Sequence, residues 1–179
     1  MTLEEIYQQK CAEVSDINEH LPTLREYAGR CERVREFGVR GIVSTWALLA
    51  GRPKFLVSYD ITHPGIPAIQ QVSDLAQQNG TAFRFVTADT RTAMPEQTDL
   101  LFIDTFHTYG QLTAELDRHG FNVCKFIILH DTETFGKKGE AGDEAGLLPA
   151  IDWFIHTYPH WRIRAQYYFN NGLTILERK

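Results

Sequence analysis

The sequence predicts a doubly wound α/β fold whose mostly parallel seven-stranded sheet ends in an antiparallel hairpin. Three observations carry that prediction. Short apolar runs alternate with segments of helical period. Each of the first five runs ends in or beside an acidic residue. The last two runs are joined by Asn170-Asn171-Gly172, a tight-turn signal.

The first run is Val34–Phe37, closed by Gly38, and Phe55–Tyr59 follows Pro53 and stops at Asp60. Phe83–Thr87 ends near Asp89, Leu100–Ile103 at Asp104, and Lys125–Leu129 at His130-Asp131. Runs this short, rich in branched and aromatic side chains, suit strands buried on both faces. A helix over 42–51 follows the first run. Ile66, Ile69, Val72 and Leu75 recur at a spacing of three before the stop signal Asn79-Gly80. Leu112 and Leu116 mark a helix over 109–119 closed by Gly120. Leu148, Ile151, Phe154 or Ile155, and Tyr158 mark another, with Pro149 in its first turn and Pro159 ending it. Residues 1–30 read as one or two helices capping the domain. The closing pair of strands is Trp161–Tyr168 and Leu173–Glu177.

A chain of 179 residues suits one domain, 1–179, with 43% hydrophobic and 23% charged residues as in globular proteins. The formal net charge of -5 and the lack of a long basic run argue against a nucleic-acid partner. Cys11, Cys31 and Cys124 form no CxxC pair, which suits reduced thiols in a cytoplasmic protein and offers no structural zinc site. The acidic start, Met1-Thr-Leu-Glu-Glu-Ile, is unlike a signal peptide, and the apolar run Trp46–Ala50 is too short to span a bilayer, so no membrane partner is expected. Trp153, Trp161, Tyr167 and Tyr168 are candidate interface residues of a homo-oligomer.

In open α/β sheets ligands bind at the carboxyl ends of the strands, which directs attention to the acids there. Gly38 and Gly41 in the first turn let backbone approach a ligand closely, or simply make a tight turn. The GxGxxG of dinucleotide binders is absent, which counts against NAD. Asp60 is placed to accept hydrogen bonds from ribose hydroxyls, or to cap the next helix. Asp89 is placed to read an adenine amine, or to anchor a turn. Asp104 and Asp131 end what should be adjacent strands, so their carboxylates can share a hard divalent cation such as Mg²⁺ or Mn²⁺. His130 or Thr132 is a candidate to complete that site.

Residues 34–45, with the pattern E-x-G-x-x-G-x-x-S-T, the D-x-x-H-x-Y of Asp104, His107 and Tyr109, and the pair His130-Asp131 together resemble one group. It is the Rossmann-like class I S-adenosylmethionine-dependent methyltransferases, in particular macrocin-type sugar O-methyltransferases and cephalosporin-hydroxylase-like proteins. The match spans roughly residues 32–158, and the terminal hairpin also fits. The resemblance implies that Glu36, Gly38 and Gly41 line the methionine part of S-adenosylmethionine, that Asp60 holds the ribose, and that Asp89 lies near the adenine. It implies a divalent metal on Asp104 and Asp131 and a general base at His107. Macrocin-type enzymes carry an acid directly before the last metal-binding aspartate, where this chain has His130. The acceptor implied is a hydroxyl of a small molecule, a sugar or glycoside. A hydroxyl is a poor nucleophile until its proton has somewhere to go, and His107 and the two acids offer that. The Gly-rich stretch Gly136–Gly142 is the candidate cover of the site. Two readings of other classes stay open: a cofactor-binding module without turnover, and a metal-dependent hydrolase built on Asp104, His107, His130 and Asp131.

Overall fold

The computed structural model describes residues 1–140, 142 and 145–179. Seven strands alternate with six helices of eight residues or more among them. In chain order they are α1 Leu3–Ala12, α2 Leu21–Ala28, β1 Arg33–Phe37, α3 Val43–Ala50, β2 Phe55–Asp60, α4 Ile66–Gln78 and β3 Ala82–Thr87. There follow β4 Thr98–Ile103, α5 Tyr109–His119, β5 Val123–His130, α6 Leu147–Thr157, β6 Trp161–Tyr167 and β7 Leu173–Arg178. The sheet order is β3-β2-β1-β4-β5-β7-β6, parallel except for β7, which is antiparallel to both β5 and β6. This is the doubly wound sheet with a terminal hairpin that the sequence predicts.

Local chemistry accounts for the element ends. Thr2 and Glu5 form a reciprocal capping box at the start of α1, each side chain accepting from the other's backbone N–H. Pro67 sits in the first turn of α4, where a missing N–H costs nothing, and Gly80 at φ +77° ends that segment. Asn170 and Asn171 take left-handed backbone at φ +43° and +68°, which makes the hairpin turn.

Two apolar layers flank the sheet. Helices α1–α4 cover one face, packing on Val34, Leu56, Leu100, Phe102 and Ile128. Helices α5 and α6 cover the other, packing on Phe37, Leu101, Ile103, Ile127 and Leu129. At about 25 cal/mol per Å² of apolar surface, this two-sided burial is the main term holding the sheet. Trp161, a candidate interface residue, is instead 2% exposed and packs beside Phe154 in the second layer. Trp153 and Tyr167 are half-buried, and Tyr168 is exposed. The link from β3 to β4 contains no helix. It is pinned to α5 instead, where Arg118 donates to the carbonyls of Thr92 and Ala93. Cys11, Cys31 and Cys124 are unbridged. Among the described residues no helix is long and apolar enough to cross a membrane.

Candidate active site

The order of strands reverses at β1, which pairs with β2 on one side and β4 on the other. The connections after these strands therefore leave in opposite directions and open a crevice at their carboxyl ends. A cavity of about 500 Å³ lies there, and Gly38, Gly41, Asp60, Asp89, Asp104, His107 and Asp131 all line it. Residues separated by more than ninety positions in sequence thus meet at one sheet edge.

Glu36 does not line it. The side chain projects from β1 toward α3, is fully buried, and accepts hydrogen bonds from Ser44 Oγ (2.6 Å), Thr45 Oγ1 (2.8 Å) and Ser58 Oγ. Burial pushes its carboxyl up to about 7, against the pull of those three hydroxyls. The residue before α3, Ile42, sits at φ +61° and supplies no side-chain cap. Glu36 therefore braces the first turn of α3 from below rather than meeting a ligand. Gly38 has φ +86°, and a Cβ there would fall 1.9 Å from the carbonyl oxygen of Asp104. The glycine is what lets β1 and β4 end side by side. At Gly41 a Cβ would meet only Val43, at 3.9 Å, so packing does not require glycine there.

Asp60 secures the same turn. Its Oδ2 accepts from the N–H groups of Val39 (2.8 Å) and Arg40 (3.0 Å), and its Oδ1 from that of Thr62 (2.8 Å). A carboxylate has about four acceptor directions, so Oδ1 keeps room for a ligand hydroxyl. Asp89 is bound by the guanidinium of its neighbour Arg91, at 2.7 to 3.2 Å, and by that residue's N–H. Across the cavity mouth, Arg40 pairs with Asp16 of the N-terminal cap.

The acids after β4 and β5 converge on His107. Its Nε2 lies 2.9 Å from Asp131 Oδ2 and 3.3 Å from Asp104 Oδ1, while its Nδ1 lies 2.9 Å from Glu140 Oε2. The ring of Phe135 stacks on the imidazole at 4.8 Å and 4° between planes. Burial opposes charge on His107, yet the hydrogen bonds to Asp104 and Asp131 and their negative charge raise it to about 10. The two carboxylates thus favour the imidazolium form of His107 at neutral pH. Burial likewise disfavours ionised Asp104 and Asp131, but hydrogen bonds from His107 and His130 hold both below the usual carboxylate range.

Asp104, His107 and Asp131 each present a ligand atom, all within 4.8 Å of one another. Asp131 Oδ1 is buried without a hydrogen-bond partner. Two hard oxygen donors, one imidazole and an orphaned carboxylate oxygen fit a divalent cation. His130 falls outside this group: its Nδ1 faces Asp104 Oδ1 at 3.2 Å and its Nε2 the carbonyl of Asn170 at 3.3 Å. Thr132 turns away, its hydroxyl bonded to that of Thr174. The hairpin turn thereby reaches the site through His130, a link with no signal in the sequence. Glu140 sits within the expected covering stretch, of which Ala141 lies outside the described residues. Its role beside His107, and those of Asp16 and Phe135, also went unsignalled, because nothing local marks which loop residue folds back.

No protein-family model matches the chain, and no curated protein matches its sequence. Solved structures do match in shape. An O-methyltransferase from Bacillus cereus in complex with S-adenosylhomocysteine has TM-score 0.66 at 17% identity, over 99% of this chain and 90% of that one. TomG, an O-methyltransferase from Streptomyces achromogenes involved in tomaymycin synthesis, in complex with S-adenosylmethionine, has TM-score 0.64 at 13% identity, over 99% and 89%. Magnesium protoporphyrin IX methyltransferase from Synechocystis, also with bound S-adenosylmethionine, gives 0.64 at 12%, over 93% and 86%. At these identities the likeness is one of fold: the chain has the Rossmann-like fold of class I methyltransferases.

Proposed function

We propose that this protein is an S-adenosylmethionine-dependent O-methyltransferase acting on a hydroxyl of a small polar molecule such as a sugar or glycoside. The observation that carries the reading is the cavity at the strand switch point, walled by the Gly38–Gly41 turn, Asp60 and Asp89 on one side and by Asp104, His107 and Asp131 on the other. Its fold neighbours include proteins crystallised with S-adenosylmethionine or S-adenosylhomocysteine. In this reading Gly38 and Gly41 border the methionine part, Asp60 Oδ1 takes a ribose hydroxyl, and Asp89 lies near the adenine. Bound S-adenosylmethionine supplies an electrophilic methyl group on a sulfonium. The chain's part is alignment of the acceptor oxygen with that methyl, an effect worth roughly 7–11 kcal/mol when complete, and removal of the acceptor's proton.

Glu140 fixes the second duty by holding the Nδ1–H of His107, so that Nε2 faces Asp104 and Asp131. While those acids are uncompensated, Nε2 keeps its proton. A divalent cation on Asp104 and Asp131 would offset their charge and supply positive charge beside the acceptor hydroxyl. His107 then serves as the proton acceptor. The spacing of the three ligand atoms also favours a second role, His107 as the third ligand. Titration of Mg²⁺ or Mn²⁺ into the chelator-treated His107→Ala variant separates the roles. A ligand's loss weakens cation binding; a base's loss leaves it intact.

The primary test is thermal unfolding with S-adenosylhomocysteine or NAD. At about 100 times its dissociation constant the former should add about 2.7 kcal/mol, a rise of roughly 5–10 °C for a chain of this size, and NAD should add nothing. No shift at millimolar S-adenosylhomocysteine would sink the proposal.

A further inference from the structure

The α5 residue Glu115 is fully buried and belongs to no role described so far. Its Oε1 accepts from Thr90 Oγ1 and from Gln111 Nε2 at 2.8 Å, and its Oε2 accepts from Thr105 Oγ1 at 2.9 Å. These three partners come from the link after β3, the turn after β4 and the first turn of α5, and all three line the cavity. The carbonyl of Thr90 is held as well, by His119 Nε2 at 2.7 Å.

A threonine hydroxyl has one proton to donate. In Thr90 and Thr105 that proton is committed to Glu115, so only oxygen lone pairs remain for a ligand. An ionised carboxylate accepts only, so the amide nitrogen of Gln111 must face it, which turns Oε1 of Gln111 away from Glu115. In this wall, between the ends of β3 and β4, the two threonine hydroxyls are therefore acceptors. Asp89, the nearby acid expected to read an adenine amine, is occupied by Arg91.

We infer that Glu115 sets the purine specificity of the cofactor site: by claiming the protons of Thr90 and Thr105 it leaves acceptors that take the exocyclic amine of adenine and refuse a 6-oxo purine. The inference rests on the S-adenosylmethionine reading above. Glu115 touches no ligand itself and is a positioning residue. A carbonyl placed against this wall would meet lone pairs and lose its own hydrogen bond, a penalty of the kind that makes polar sites selective.

The test is calorimetric binding of S-adenosylhomocysteine and of its deaminated analogue, S-inosylhomocysteine, to wild type, Glu115→Gln and Thr90→Val. Burial raises the Glu115 carboxyl to about 7, so measurement at pH 8.5 keeps it ionised. Wild type should prefer the adenosyl ligand by roughly 10–100-fold. In Glu115→Gln the new amide donates, a hydroxyl must accept from it, and the freed hydroxyl proton turns toward the cavity; the preference should shrink about tenfold. Thr90→Val deletes one acceptor together with its hydrogen bond to Glu115, while Thr105 and Gln111 keep theirs. It should weaken the adenosyl ligand about 5–10-fold and leave the inosyl ligand unchanged, which keeps the inference testable if the glutamine variant does not fold. Equal affinities in wild type, or an unchanged ratio in both variants, overturn the inference while leaving the cofactor reading intact. Failure of wild type to bind either ligand overturns the proposed function and this inference together.

Discussion

Replacing Glu36 with glutamine should abolish a pH dependence of stability that the wild type carries. In the fold this carboxyl ionises near pH 7, and in an unfolded chain near its ordinary 4.5. Between those values the folded state holds a proton that the unfolded state has released. Stability therefore falls as pH rises through that window, and the contribution is fully present only below about 4.5. At about 1.36 kcal/mol per pH unit, the loss is roughly 3 kcal/mol. Glutamine keeps the shape and has no charge to bury, and the hydroxyls of Ser44, Thr45 and Ser58 can rotate to accept from its amide. Urea unfolding of both proteins from pH 4 to 8.5 measures the effect. The difference in stability, wild type minus variant, should drop by about 3 kcal/mol across the window, a relative midpoint shift of roughly 1–2 M urea. Glu115 is raised similarly and Asp131 is lowered, but these are common to both proteins and cancel, whereas the charge of Asp104 adds to the rise at Glu36 and is part of the effect measured. A difference that stays level across the range would refute the account of Glu36 as a carboxylate ionised at a desolvation cost.

Gly38→Ala should destabilise the protein by roughly 3–5 kcal/mol or prevent its accumulation, because the added carbon collides with backbone at a positive φ. Chemical denaturation checks this, and a loss under 1 kcal/mol would contradict it. Gly41→Ala, by contrast, should stay within about 0.5 kcal/mol of wild type yet weaken S-adenosylhomocysteine measurably by calorimetry. Once an acceptor is in hand, His107→Ala should slow single-turnover methyl transfer by roughly 10²–10⁴-fold. Cofactor affinity should stay near that of wild type, and a variant that keeps most of its rate would remove His107 from the chemistry. Asp131→Asn should lower Mn²⁺ affinity more than His130→Asn does, since His130 lies outside the ligand group; the reverse order by titration would exchange their roles.

Much of this architecture was legible because its signals are local. The strand cores Leu100–Ile103 and Phe55–Tyr59 stand out as apolar runs, and their terminal acids mark the carboxyl edge of the sheet. Even the inner place of β7 leaves a trace. Leu173–Leu176 is continuously buried and nearly all apolar, whereas β6 interleaves Arg162, Arg164 and Gln166 as an edge strand does. Gly38, Gly41, Asp60, Asp89, Asp104, His107 and Asp131 all reach the cavity because strand ends are fixed by the same hydrophobic runs that fix the strands.

The direction in which each side chain points was decided only by the tertiary structure. Glu36 sits one residue before the end of β1, and the period of two turns it under α3 rather than toward the ligand. His107 gains basicity from Asp131, a partner twenty-four residues away, and from a loop acid, Glu140, whose approach depends on how the chain folds back after β5. Glu115 looks in the sequence like any polar position on a helix, and becomes buried because α5 packs down on the links after β3 and β4. Sequence fixes what local forces can fix, namely strand, helix, turn and the acids at their ends. The protonation of those acids, and the partners that orient them, depend on burial and on distances of a few ångströms between segments far apart in the chain, which exist only once the chain has folded.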